Sequence, residues 1–178
     1  MKRKSNLTKL LQELTKEELI DEIEKICDKF EVVKDYFQID LTGDTSAYVE
    51  QVRKKIAGQF HTAKGKRRNP KASRLNKIIT DFEIISIYKE DIISLLLYRV
   101  AETGLFADKY DYLLPALLQS NIRAFARACT MIDAEGAQEK YKEQCAAICR
   151  QGRAIYFEGE LDNVYFSCFN ETPSAQRK

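Results

Sequence analysis

Apolar residues recur along most of this chain at spacings of three and four, the period of one helix face. Leu19, Ile23, Ile26, Phe30, Val33 and Phe37 follow a 4-3-4-3-4 rhythm, a single stripe over about five helical turns. Thr15 and Glu18 stand ahead of it at capping-box spacing, where hydroxyl and carboxylate satisfy each other's free backbone donors. Ser5 to Glu13 reads as a short preceding helix. Thr42-Gly43-Asp44 is turn chemistry, and Asp44 or Thr45 is placed to cap a helix with the stripe Val49, Val52, Ile56 and Phe60.

Residues 61–70 read as a loop ending in Asn69-Pro70. A residue before proline avoids helical angles, so the next helix begins at or after Pro70. Leu75, Ile78, Ile79, Phe82 and Ile85 mark its buried face. Ile84–Tyr88, although strand-like, is taken as helix, and Ala154–Phe157 is left open. The stretch from Asp91 to Thr103 is apolar nearly all round, the pattern of a central helix touched on several sides, with Gly104 expected to stop it. Leu114, Leu118, Ile122, Phe125, Cys129 and Ile132 mark a long helix from about Tyr110, with Pro115 in its first turn or two. After a break at Asp133–Gly136, Ala137, Tyr141, Cys145, Ile148 and Gly152 mark another, and Leu161 to Cys168 a short last one. The expected fold is all-α: a single compact helical domain of six to eight helices over 1–169, with a disordered tail at 170–178.

Composition agrees with that reading. The chain has 178 residues, 44% apolar, enough for one core. Seven Gly and three Pro are too few for the turns of a many-stranded sandwich or barrel. Five cysteines at helical spacings do not form a disulfide framework. The basic start Met1-Lys2-Arg3-Lys4 is followed by no apolar run, and no window is long enough to span a membrane. A reducing cytoplasm fits best, and the sequence sets no oligomeric state.

Charge changes the picture. Gln51 to Thr80 carries ten Lys or Arg and no Asp or Glu. The whole chain has 29 basic and 27 acidic residues; without those ten, 19 basic residues face the same 27 acidic ones. Like charges at that density repel unless solvent or a partner screens them. Arg53, Lys54, Lys55, Lys64, Lys66, Arg67, Arg68, Lys71, Arg74 and Lys77 are therefore the candidate binding residues. Antiparallel packing of the flanking helices gathers them on one edge. Such a cluster suits phosphate oxygens and the release of condensed counterions. Arg67 and Arg68 add bidentate geometry, and Asn69, Ser73 and Asn76 are further donors. No aromatic residue interleaves 64–74, so base stacking has little support. The leading partner is nucleic acid held by its phosphates, and the alternative is an acidic protein. The plain alternative is a solvated loop, or one neutralised by the chain's own acids at 21–24 and 158–162.

Little points to catalysis, metal or cofactor. His61 is the sole histidine, which removes a two-histidine metal site within one chain. Neither glycine-rich phosphate cradle is present. Cys145 and Cys149 share a helix face, and with Cys129 and Cys168 would make four thiolates, but they fall on an apolar stripe as small hydrophobes do. Asp108 and Asp111 lie among tyrosines at a helix start, where surface capping is the simpler role. A hydrolase with a Cys or Asp nucleophile is the remote third class. No cofactor is implied.

Four segments carry a family resemblance: Leu10-Leu11-Gln12-Glu13-Leu14-Thr15-Lys16-Glu17-Glu18-Leu19; Asn69-Pro70-Lys71-Ala72-Ser73-Arg74; Ser94-Leu95-Leu96-Leu97-Tyr98-Arg99-Val100-Ala101-Glu102-Thr103-Gly104; and Glu158-Gly159-Glu160-Leu161-Asp162-Asn163-Val164-Tyr165-Phe166. In these the chain resembles the uncharacterised bacterial family DUF6155. The resemblance implies a mostly helical bacterial protein and brings no activity, ligand or functional residue with it.

Overall fold

A computed structural model describes residues 6–86, 88–151 and 159–170. Among them are nine helices and no strand: α1 (Asn6–Glu13), α2 (Lys16–Lys29), α3 (Glu31–Thr42), α4 (Ser46–Phe60), α5 (Ala72–Ile85), α6 (Lys89–Tyr110), α7 (Pro115–Ala134), α8 (Gln138–Gln151) and α9 (Glu160–Phe169). The fold is all-α, as the periodicity predicts. Contacts cluster into two compact units, 1–44 and 45–178, where the sequence pattern suggests one domain through 169. The tail expected at 170–178 lies, from 171 on, outside the described residues, as does Ala154–Phe157.

In the first unit the capping box forms as spelled out. Glu18 N–H donates to Thr15 Oγ1 at 3.2 Å, and Thr15 N–H donates to Glu18 Oε2 at 2.8 Å. The stripe from Leu19 to Phe37 is not one helix. Phe30 leaves helical angles (φ −131°, ψ 99°), ending α2 and starting α3 at a single residue. Periodicity misses such a break because the 4-3 spacing continues through it. That break helps lift the helix number above the expected six to eight. Gly43 closes α3 in the left-handed region (φ 64°), its N–H reaching Ile39 O.

In the second unit α6 is the hub. It packs against α4, α5, α7 and α8, while α9 lies on α7 and α8. Ile93, Leu95, Leu97 and Val100 of α6 are buried, together with Ile56 and Phe60 of α4, Leu75 and Phe82 of α5, and Phe125 of α7. A side chain touched from several directions must be apolar on several faces, which is why 91–103 shows no polar stripe. α7 begins at Pro115 and not near Tyr110, which ends α6; proline takes the first helical position, where its missing N–H costs nothing. Gly104 does not stop α6. It is buried within the helix, which runs on to Tyr110 and closes at Asp111 in the left-handed region (φ 46°). The physical reason is packing: Thr103, Phe106 and Ala107 around it are buried in the core, which holds the helix through the glycine. α5 ends at Ile85, and Ser86 and Tyr88 are extended, so the helical reading of Ile84–Tyr88 holds for Ile84 and Ile85 and fails at Ser86 and Tyr88, while Ile87 lies outside the described residues.

Candidate phosphate-binding surface

The segment between α4 and α5 is a small hairpin, more ordered than the loop its sequence suggests. Gly65 N–H donates to Thr62 O (2.8 Å), Thr62 N–H to Lys66 O (2.9 Å), and Lys66 N–H to Thr62 Oγ1 (3.0 Å). Gly65 has φ +72°, the left-handed residue that a three-residue hairpin loop requires. This puts Lys64 in the turn, with Lys66 just after it. Arg68 ties the hairpin to α4: its N–H bonds Phe60 O at 2.8 Å, and its Nη1 bonds Gly58 O at 2.8 Å. A cation on the last carbonyls of a helix also meets the negative end of its dipole.

Of the ten candidate cations, Lys54, Lys55, Lys64, Lys66, Arg67, Arg68, Lys71, Arg74 and Lys77 are exposed. Arg53 is half-buried and turned to α6, with Nη2 on Ser94 Oγ at 2.7 Å and its guanidinium 5.5 Å from the Tyr98 ring. Lys77 pairs with Asp81 at 2.8 Å. No other member of the ten is ion-paired among the described residues. Of the acids that could have neutralised the cluster, Glu22 pairs with Lys25 within the first unit, and Glu158 lies outside the described residues.

Arg67 shows what the sequence concealed. Its guanidinium lies 4.6 Å from the Tyr112 ring, 5.2 Å from Tyr110 and 5.6 Å from Phe106. His61 joins this cluster, with Nε2 3.0 Å from the Tyr110 hydroxyl. The expectation that aromatics lie away from the basic run holds for the sequence but not in space. The rings come from the end of α6 and the residues just after it, some forty positions on, where no local pattern could signal them. A guanidinium held over ring faces keeps its charge with little loss of freedom on binding.

The start of α5 adds a second feature. Lys71 is its N-cap, no side chain caps it, and its first turn has no acid. Uncapped N–H groups with Lys71 and Arg74 beside them form an end that attracts anions.

The thiols do not assemble into a metal centre: among the described residues no three His, Cys, Asp or Glu stand together as ligands. Cys129, Cys145 and Cys149 are buried. The Cys145 thiol, followed by burial, pushes Cys129 far up. Burial pushes Cys168 up to about 12. These shifts run opposite to that of an activated nucleophile. Asp111 closes α6 rather than pairing with Asp108. Missed entirely by sequence reasoning was Arg99, 2% exposed and facing α5 and α7. The available signal was one arginine inside the otherwise apolar stretch from Ile92 to Val100.

These features define an all-α protein with nine exposed cations between Lys54 and Lys77, one of them ion-paired among the described residues. The chain belongs to DUF6155, a family of unknown function, whose pattern it matches over residues 1–165. No curated protein and no solved structure matches it. No described helix is long and apolar enough to cross a membrane.

Proposed function

We propose that this protein binds the phosphate backbone of duplex or structured nucleic acid through α4, the hairpin and α5, without reading sequence. The observation that carries the reading is nine exposed cations of which one, Lys77, is matched by an acid among the described residues. An unscreened cluster of that size raises the free energy of the unbound protein, and a polyanion relieves it while releasing its own counterions. The open N-terminus of α5 offers further donors for a phosphate oxygen. Phosphate contacts fix position and carry no base information.

The test is charge reversal at Lys64, Lys66 and Lys71, whose side chains make no contact that holds the fold. The triple Glu variant should lose binding to a short duplex and keep the helical circular-dichroism signal and melting temperature. Retained binding would overturn the proposal. A second reading, docking of an acidic protein, is favoured by the exposed Leu7, Leu10, Ile20, Ile23 and Phe30 of the first unit. Pull-down after nuclease treatment separates the two: a protein partner that survives the nuclease supports docking, and loss of bound material supports nucleic acid.

A further inference from the structure

α5, α6 and α7 enclose a groove of about 610 Å³, within the range of small-molecule sites. Ile79, Leu96 and Ala124 give it an apolar base, and Asn76, Arg99, Ser120 and Arg123 give it polar groups. Arg99 is 2% exposed, and no carboxylate lies within ion-pair distance of it among the described residues. Isolated buried charge is costly, so buried arginines are ordinarily paired. Here the partners are neutral. Nη1 donates to Asn76 Oδ1 at 2.7 Å, and Nη2 donates to Ser120 Oγ at 2.6 Å and less favourably to Ser120 O at 3.4 Å. Ser120 Oγ in turn donates to Asn76 Oδ1 at 3.2 Å.

This network occupies most of its own acceptors. Asn76 Oδ1 takes two hydrogen bonds, and Ser120 Oγ takes one while giving its own proton. Charged and amide donors are left in surplus: the Asn76 amide nitrogen, the Arg99 Nε, which is buried without an acceptor, and the Arg123 guanidinium, exposed and without an acid partner among the described residues. Arg127 at the same groove is already paired to Glu83. A site with surplus donors, net positive charge and no internal acid is complementary to an oxyanion.

We propose that this groove binds a small organic anion, its carboxylate or phosphate held by Arg99, Asn76 and Arg123 and its apolar body resting on Ile79, Leu96 and Ala124. Desolvation has already lowered the Arg99 pKa to about 10, the mark of a charge that lacks a counterion in the unliganded fold. The groove face of α5 carries Ala72, Asn76, Ile79 and Thr80, a different stripe from Lys71, Arg74 and Lys77, so the site does not depend on the nucleic-acid surface.

Titration calorimetry of the full chain with inorganic phosphate, succinate and adenosine 5′-monophosphate tests this. At least one probe should bind saturably at one per chain, and which one binds separates phosphate from carboxylate recognition. Arg123→Ala, an exposed position, should weaken that binding at least tenfold, while Lys64→Glu with Lys66→Glu leaves it unchanged. On the unaltered protein, the Arg99 Nε–H resonance should shift on titration, which a purely structural arginine would not do. No saturable binding of any probe would overturn the proposal. So would binding that is lost in the hairpin variant and kept in Arg123→Ala.

Discussion

Raising salt from about 50 to about 200 mM should cut affinity for a short DNA duplex about 250- to 1,000-fold. The figure follows from the cations that the fold leaves free. Arg53 is committed to Ser94 and Tyr98, Arg67 to the rings of Tyr110 and Tyr112, Arg68 to Gly58 O, and Lys77 to Asp81. Lys54, Lys55, Lys64, Lys66, Lys71 and Arg74 are exposed, with side chains bonded to nothing in the fold. Four to six phosphate contacts, at about 0.9 each, give a log–log slope of about −4 to −5. Fluorescence anisotropy across a salt series measures it directly. Lys64→Ala and Lys66→Ala should each reduce the slope by about 1. Lys140→Ala, on α8 and already paired with Glu90 at 2.7 Å, should leave it unchanged. A slope shallower than about −2, or one insensitive to the hairpin lysines, would refute the reasoning.

Other outcomes follow from packing and chemistry. Phe60→Ala, removing a fully buried ring 5.5 Å from Phe106, should lower unfolding free energy by about 3–5 kcal/mol in urea titration. Gly58→Ala should raise it by about 0.5–1 kcal/mol, because a methyl there meets nothing within 4 Å and the helix gains rigidity. The thiols should divide in native labelling at pH 8: half-buried Cys27 reacts first, while Cys129, Cys145 and Cys149 wait for unfolding. Cys168, raised to about 12, is almost wholly protonated at that pH, so its labelling rate should climb about tenfold per pH unit up to that value.

Much of the fold was legible in the sequence. The stripes of α4, α5, α7 and α8 give the buried faces, the all-round apolar stretch gives the central α6, and Thr15 with Glu18 gives the start of α2. The misreadings have a common cause. At Phe30 a helix ends without Gly or Pro, and at Gly104 a helix continues through a residue that usually ends one. In each case intrinsic preference is weak, a kcal/mol or less, and tertiary packing outweighs it. The hairpin of Thr62–Lys66 escaped notice because its strands are too short for alternation to register.

The sequence by itself determined where helices form, which of their faces are apolar, and that ten cations stand in one stretch without an acid. Those are properties of residues within a turn or two of each other, and helical geometry converts them directly into faces. Only the tertiary structure decided that Arg67 lies on Phe106, Tyr110 and Tyr112, that one of the nine exposed cations is ion-paired among the described residues, and that Arg99 sits buried between Asn76 and Ser120. Those facts join residues twenty to forty-five positions apart, and their meeting is set by how helices pack, which no spacing along the chain encodes.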